Sequence, residues 1–306
     1  MSTNQERRAE ARQRLREQME AQARREKQLK IAAASTVAVL LLGLVGVVVW
    51  NKQQEARAAE HAANWMTCDY PASEPPQKVD PKQIAESGQG TEKDARDYNA
   101  NIDKINETKR DVQAPTGEQP RRGTAQIALT LDRGEVPLTL DREKAPCNVA
   151  SFVGLTEQKY FDDTPCHRLV DIKEEPGMSV LQCGDPSGTG QGGPGYTIVD
   201  EKPTDLAPET GGTGTVIYPR GTVAMAKSQM PDSAGSQFFL VIADSALPPE
   251  YSVVGTIAEP GLKVLDAIAK DGVKNKDKNS PDNQVPKKPI SIESAVLVSQ
   301  DGLPAD

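Results

Sequence analysis

Apolar residues recur with a period of two, twice in succession, at Ile127, Leu129, Leu131 and at Val136, Leu138, Leu140. Arg133-Gly134-Glu135 lies between the two runs as a turn. That pattern specifies a β-hairpin with one buried face, and it begins a stretch, 124–300, that holds the periodic apolar segments following residue 50. After Pro146, which suits the first turn of a helix, Val149, Phe152, Val153 and Thr156 repeat at helical spacing. Short strands are expected at 166–170, 179–183, 222–227 and 237–242. A second helix is expected over 261–270, where Leu262, Val264, Leu265 and Ile268 share a face, and a last strand from Ile290 to Val298. Many short strands with two helices predict a mostly β domain, a closed antiparallel barrel capped by the helices.

The rest of the chain reads differently. Residues 1–30 hold nine Lys/Arg against five Asp/Glu and almost no apolar stripe, which predicts a charged, solvated helix. Residues 31–50 carry no charge and end on Trp50. Twenty residues at ~1.5 Å each match the ~30 Å of a bilayer core, so one transmembrane helix is expected. The basic excess before it places the N-terminus in the cytoplasm and the body outside, as a single-pass protein of the cell membrane. A cleaved signal peptide is the competing reading, with Ala56–Ala59 as the mimic of a cleavage site. Residues 51–123 read as a polar, partly disordered tether with room for a short polar helix over 92–113, and Trp65 and Cys68 stand out as able to dock on the body. Residues 272–289 read as an exposed, mobile loop, and 301–306 as a tail.

The body is acidic, 39 acidic residues against 27 basic ones outside 1–30, which argues against nucleic acid as a partner. Two isolated histidines and four cysteines without a CxxC pair give no metal site, and no cofactor is expected. Gly188-Thr189-Gly190-Gln191-Gly192-Gly193 fits GxGxxG, but Pro194-Gly195 follows it instead of a helix, so it has no phosphate-cradling context. With no heptad or apolar stripe, a monomer is expected. Cys68, Cys147, Cys166 and Cys183 allow three disulfide connectivities, with buried free thiols as the alternative. Strand alternation counts against Cys166–Cys183, because Cys166 would face with Arg168 and Cys183 away from Gln182.

Three segments carry the chemistry: Cys166-His167-Arg168, Leu181-Gln182-Cys183-Gly184-Asp185 and Gly235-Ser236-Gln237-Phe238-Phe239. In order and spacing they resemble the cyclophilin signature, over about residues 124–300. The resemblance implies cis/trans isomerisation of X-Pro peptide bonds and, with the uncharged run ahead of it, a membrane-anchored bacterial form. Rotation must break amide resonance, at ~18–20 kcal/mol, so the enzyme has to bind the twisted amide better than either planar form. The twisted proline nitrogen regains a lone pair, and a guanidinium, which cannot lose its proton, suits as donor.

By resemblance Arg168 is the catalytic arginine and Gln182 its neighbour on the substrate backbone. Phe239 is the floor of the proline pocket and Val180 and Leu247 are its walls. Met225 and Ala226 lie beside the peptide, and Gln237 is a further groove contact. Lys227 stands where asparagine is common, a contact that is largely backbone in the family, and Tyr251 stands where histidine is. Ala246 replaces a frequent tryptophan that contacts cyclosporin, Ser179 a pocket phenylalanine, and the segment 171–178 looks longer than the usual turn. Phe238 and His167 alternate away from the groove and read as core. The partners implied are proline-containing peptides, as unfolded secreted or envelope proteins. The alternative is a non-catalytic module that holds proline-containing peptides in the same groove.

Overall fold

The computed structural model describes residues 4–173, 177–211, 214–275 and 282–304, without the side chains of 4–8, 32–42 and 45. Two compact units divide the chain, Met1–Ala62 and Ala63–Asp306.

The first unit is one helix, α1 (Asn4–Asn64, whose last two residues fall in the second unit), which runs through the uncharged stretch and beyond the expected tether start at 51. Among the described residues no helix is long and apolar enough to cross a membrane. The side chains of 32–42 and 45, the middle of the expected span, lie outside them.

In the second unit the stretch expected as tether has its own structure. β1 (Trp65–Thr67) pairs antiparallel with β2 (Glu118–Pro120). Between them lie α2 (Pro81–Glu86) and α3 (Glu92–Thr108), the latter opened by a capping box in which Thr91 and Asp94 satisfy each other's backbone N–H. Ala95 and Ile102 of α3 are buried. Cys68 is bonded to Cys147, and the Tyr70 hydroxyl donates to the Cys147 carbonyl at 2.9 Å. The helix over 92–108 falls within the expected one, but composition hid the rest of this order, because a disulfide and a few docked side chains, Met66, Tyr70 and Val112 among them, do what a hydrophobic period usually does.

The body follows the expected elements closely. β3 (Thr124–Leu131) and β4 (Gly134–Asp141) form the hairpin, with Leu131 opposite Gly134. Then come α4 (Pro146–Glu157), β5 (Thr164–Pro165), β6 (Arg168–Ile172) and β7 (Met178–Cys183). β8 (Val216–Tyr218), β9 (Thr222–Met225), β10 (Phe238–Ala243), β11 (Ser245–Leu247) and β12 (Val253–Ile257) precede α5 (Glu259–Asp271). β13 (Val273–Asn275), β14 (Gln284–Pro286) and β15 (Ser291–Asp301) close the chain.

Nine strands form one sheet in the order β5-β15-β3-β4-β12-β9-β10-β7-β6. The expected closed barrel is corrected here: among the described residues no ladder joins the edge strands β5 and β6. These edges are nevertheless separated by only Cys166 and His167 in sequence. The sheet therefore curls until a two-residue link spans its seam, and the Cys166 N–H is satisfied by the Ile290 carbonyl at 2.9 Å rather than by β6.

One face of the sheet holds the main core, with α4 and α5 against it. Phe152 and Phe161 pack at 4.9 Å between ring centres, and Phe238 meets both at 5.0 and 5.5 Å. Burying each such ring is worth ~1.5–3 kcal/mol. The other face carries a smaller apolar cluster, Val170, Val180, Tyr218, Ala224, Phe239, Val241 and Val253. The split follows from alternation: Phe238 goes to the first cluster and Phe239 to the second.

Candidate active site

The second cluster is where the expected site residues meet. Antiparallel register places Arg168 of β6 opposite Gln182 of β7, Gln182 opposite Phe239 of β10, and Phe239 opposite Ala224 of β9. These four residues form one row across the sheet, at ~4.7–4.9 Å per strand. The next row, Val170, Val180 and Val241, extends the apolar floor. Leu247, Ala226 and Tyr251 pack on its edge. The Tyr251 ring stands edge-on to Phe239, centres 5.4 Å apart.

At one end of the row the polar groups are chained. Arg168 Nη1 donates to Gln182 Oε1 at 3.1 Å. Gln182 Nε2 donates to Gln237 Oε1 at 2.9 Å. Gln237 Nε2 donates to the carbonyls of Gly190 and Gly192, both at 3.0 Å. Those carbonyls belong to the loop that fits GxGxxG, and its fold explains its glycines. Asp185, fully buried, accepts from the Ser187 hydroxyl and from the backbone N–H of Ser187, Gly190 and Gly192. The loop wraps so closely that a Cβ on Gly192 would lie 2.1 Å from Asp185 Oδ1. Burial alone would raise the Asp185 pKa, but the donors from Ser187, Gly192 and Gly190 prevail and hold it below the usual carboxylate range.

Two expectations need correction. The Met225 side chain is buried in the main core, one residue out of phase with Ala224 and Ala226, so it does not line the groove. Second, Cys166 and Cys183 are bonded. The argument from alternation assumed a strand from 166, whereas β6 starts at Arg168 and leaves Cys166 free to turn inward. The Lys227 side chain is engaged within the protein, its ammonium 2.8 Å from Asp200 and 3.8 Å from Glu250, which leaves the backbone contact expected of that position untouched. The hydrogen bond to Asp200 raises its pKa.

Ser179 is not a pocket wall either. Its N–H donates to Ser245 Oγ at 2.9 Å and its hydroxyl to Asp171 Oδ1 at 3.3 Å. The loop side of the long 171–178 segment, 174–176, lies outside the described residues. His167 packs beside Gly190, with its Cδ2 3.4 Å from where a Cβ would stand.

Sequence reasoning missed two groups. Tyr218 packs on Phe239 and Tyr251, centres 6.2 Å from each, and its hydroxyl shares one proton between the carbonyls of Pro248 and Tyr251, at 3.2 and 3.1 Å, while accepting the Tyr251 N–H at 3.2 Å. Burial pushes its pKa up. A lone tyrosine before Pro219 carries no periodic signal. Asp185 did carry one, the Asp185-Pro186 step, which favours a turn.

The fold and these contacts can be set beside known proteins. The family model described as "Cyclophilin type peptidyl-prolyl cis-trans isomerase/CLD" matches residues 126–297. The chain is 45% identical over 176 residues to the "Probable peptidyl-prolyl cis-trans isomerase B" of Mycobacterium leprae, covering 57% of each. It is 48% identical over 162 residues to the protein of the same name from Mycobacterium tuberculosis, covering 52% of this chain and 51% of that one. To the "Peptidyl-prolyl cis-trans isomerase A" of Dickeya dadantii it is 31% identical over 180 residues, covering 57% of this chain and 85% of that one. The chain thus spans little more than half the length of the two mycobacterial relatives. With the match running through β3 to β15 and the Arg168–Gln182–Gln237 chain beside the Phe239 pocket, this protein belongs to the cyclophilin-type peptidyl-prolyl cis-trans isomerase family.

Proposed function

We propose that this chain catalyses cis/trans isomerisation of X-Pro bonds in proline-containing peptides, with no covalent intermediate. The observation that carries the reading is the row Arg168–Gln182–Phe239: a guanidinium held by a glutamine, two strands from an apolar floor. The proline ring sits on Phe239 between Val180, Leu247 and Tyr251. Gln182 and the Ala226 backbone hold the peptide, and an Arg168 N–H meets the proline nitrogen as the amide twists. Donation to that nitrogen exists only near the transition state, so it lowers the barrier without tightening the ground state.

The test is the isomerisation rate of an X-Pro peptide with wild type and two variants. Arg168→Ala should lose ~10²–10³ in rate with an unchanged circular dichroism spectrum. Arg168→Lys should rescue poorly, since an ammonium lacks the planar fork. If Arg168→Ala keeps near-normal activity, the groove is a peptide holder and the non-catalytic reading replaces this one.

We also propose that residues 31–50 anchor the protein in the cell membrane, residues 1–30 inside and the isomerase outside, acting on secreted or envelope proteins as they fold. The uncharged run and its basic flank support this. So do the two disulfides, which suit an oxidising compartment. Protease added to spheroplasts should digest the outer part; full protection would overturn the topology.

A further inference from the structure

The Arg168 guanidinium is held from two sides. Besides Nη1 to Gln182, its Nε donates to the Asp282 backbone carbonyl at 3.2 Å and its Nη2 to Asp282 Oδ2 at 3.2 Å. A guanidinium has five N–H groups. Three are engaged, which leaves one on each terminal nitrogen.

Asp282 comes from a segment that the sequence marks only as a Lys/Asp/Asn/Pro loop, and the described residues that follow it are anchored on β6. Arg168 opens β6, an edge strand, and the β13–β14 pair lies alongside that edge. Two residues beyond Asp282, Gln284 is 7% exposed and its Oε1 accepts the unpaired Asp171 N–H of β6 at 2.9 Å. The anchor that covers the sheet edge therefore also sets the carboxylate beside Arg168. Asp282 itself is accessible, its side chain 57% exposed against 30% for Arg168.

We propose that Asp282 is a positioning residue for isomerisation, and this rests on Arg168 acting as the donor described above. An arginine on an edge strand has many rotamers, and a donor that must meet a nitrogen only in the twisted amide gains from being held beforehand. Asp282 engages the Nε edge and one Nη2 N–H, Gln182 engages Nη1, and the guanidinium plane is fixed with its remaining N–H groups free for substrate. The ion pair is exposed, so salt screens it.

The experiment uses the full chain and measures kcat and KM for an X-Pro peptide across ionic strength, with Asp282→Asn, Asp282→Ala, Arg168→Ala and the Arg168→Ala/Asp282→Asn pair. Asp282→Asn and Asp282→Ala should each lose about three- to tenfold in kcat, with KM within twofold and an unchanged melting temperature. Added salt should lower the wild-type kcat toward that of Asp282→Asn and leave the variant's kcat nearly unchanged. In the Arg168→Ala background Asp282→Asn should cost nothing further. An active wild type, an inactive Arg168→Ala and an unaffected Asp282→Asn overturn this proposal alone. A rise in activity on removing the carboxylate also overturns it, since Asp282 then competes with substrate. A wild type without activity, or an Arg168→Ala as active as wild type, takes down the catalytic reading and this proposal together.

Discussion

Gln182 and Gln237 fix each other's amide orientation. Gln237 spends its NH₂ on the Gly190 and Gly192 carbonyls, so only its Oε1 faces Gln182. Gln182 must then present Nε2 to it, which leaves Oε1 for Arg168. Flipping either amide sets donor against donor or acceptor against acceptor. The direction of the whole chain is therefore decided at the glycine loop.

Replacing Gln237 with Glu should test this. The carboxylate has no N–H for the two carbonyls and leaves them unsatisfied, at ~1–3 kcal/mol each. We expect Gln237→Glu to lower kcat/KM about ten- to a hundredfold. Gln182→Glu keeps the acceptor for Arg168 and should lose less. Steady-state kinetics on both, with melting curves, gives the comparison; equal losses would contradict the directional chain.

Asp185 makes a pH prediction. Its folded pKa lies below its unfolded value, so it contributes stability that is complete above the unfolded pKa of ~3.9 and is lost as pH falls through the lower folded value. Asp185→Asn should cost about 2–4 kcal/mol at pH 7. The gap between wild type and variant should narrow below about pH 4. Urea melts from pH 7 to pH 3 read this directly, and a gap that widens on acidification would count against it.

The body was legible in the sequence because its signals are local. The β3–β4 alternation, Pro146 at the start of α4 and the Leu262–Ile268 face of α5 all predict elements within a few residues of those observed. The groove was legible because Arg168, Gln182 and Phe239 lie in short recognisable segments. Other features depended on where one backbone step breaks a period. Cys166 escaped alternation because β6 starts two residues later, and Met225 was placed in the groove although its parity matches Phe238. Apart from the polar helix read over 92–113, the order of 64–123 rests on Cys68–Cys147 and on docking, neither of which has a period to read. Tyr218 and Asp282 reach the site from elements remote in sequence, so no local pattern announces them.

The two disulfides should differ in worth. Cys68–Cys147 spans 79 residues and Cys166–Cys183 spans 17. Loop-closure entropy gives about 4–5 and about 3 kcal/mol respectively. Serine at both positions of the longer bridge should therefore lower the melting temperature more, and should open 64–123 to limited proteolysis first. Thermal melts of both double-serine variants, with and without reductant, decide the ranking.

Tyr218 supports the pocket through its hydroxyl. Tyr218→Phe keeps the ring against Phe239 and removes the contacts that seat Tyr251. We expect KM for X-Pro peptides to rise about three- to tenfold, kcat to stay within twofold, and stability to fall by about 1–2 kcal/mol. A loss confined to kcat would show that Tyr251 does not serve binding.

The cysteine pairing also bears on how the chain is made. In order of synthesis the cysteines are 68, 147, 166 and 183, and each native bond joins one thiol to the next to appear. At ~5–20 residues per second, Cys68 stands alone for about 4–16 s before Cys147 follows. Cys166 waits only about 1–3 s for Cys183 at the same speed. If the body is translocated as it is made, from residue 51 onward, each pair can thus oxidise as it arrives, before a wrong partner is in reach.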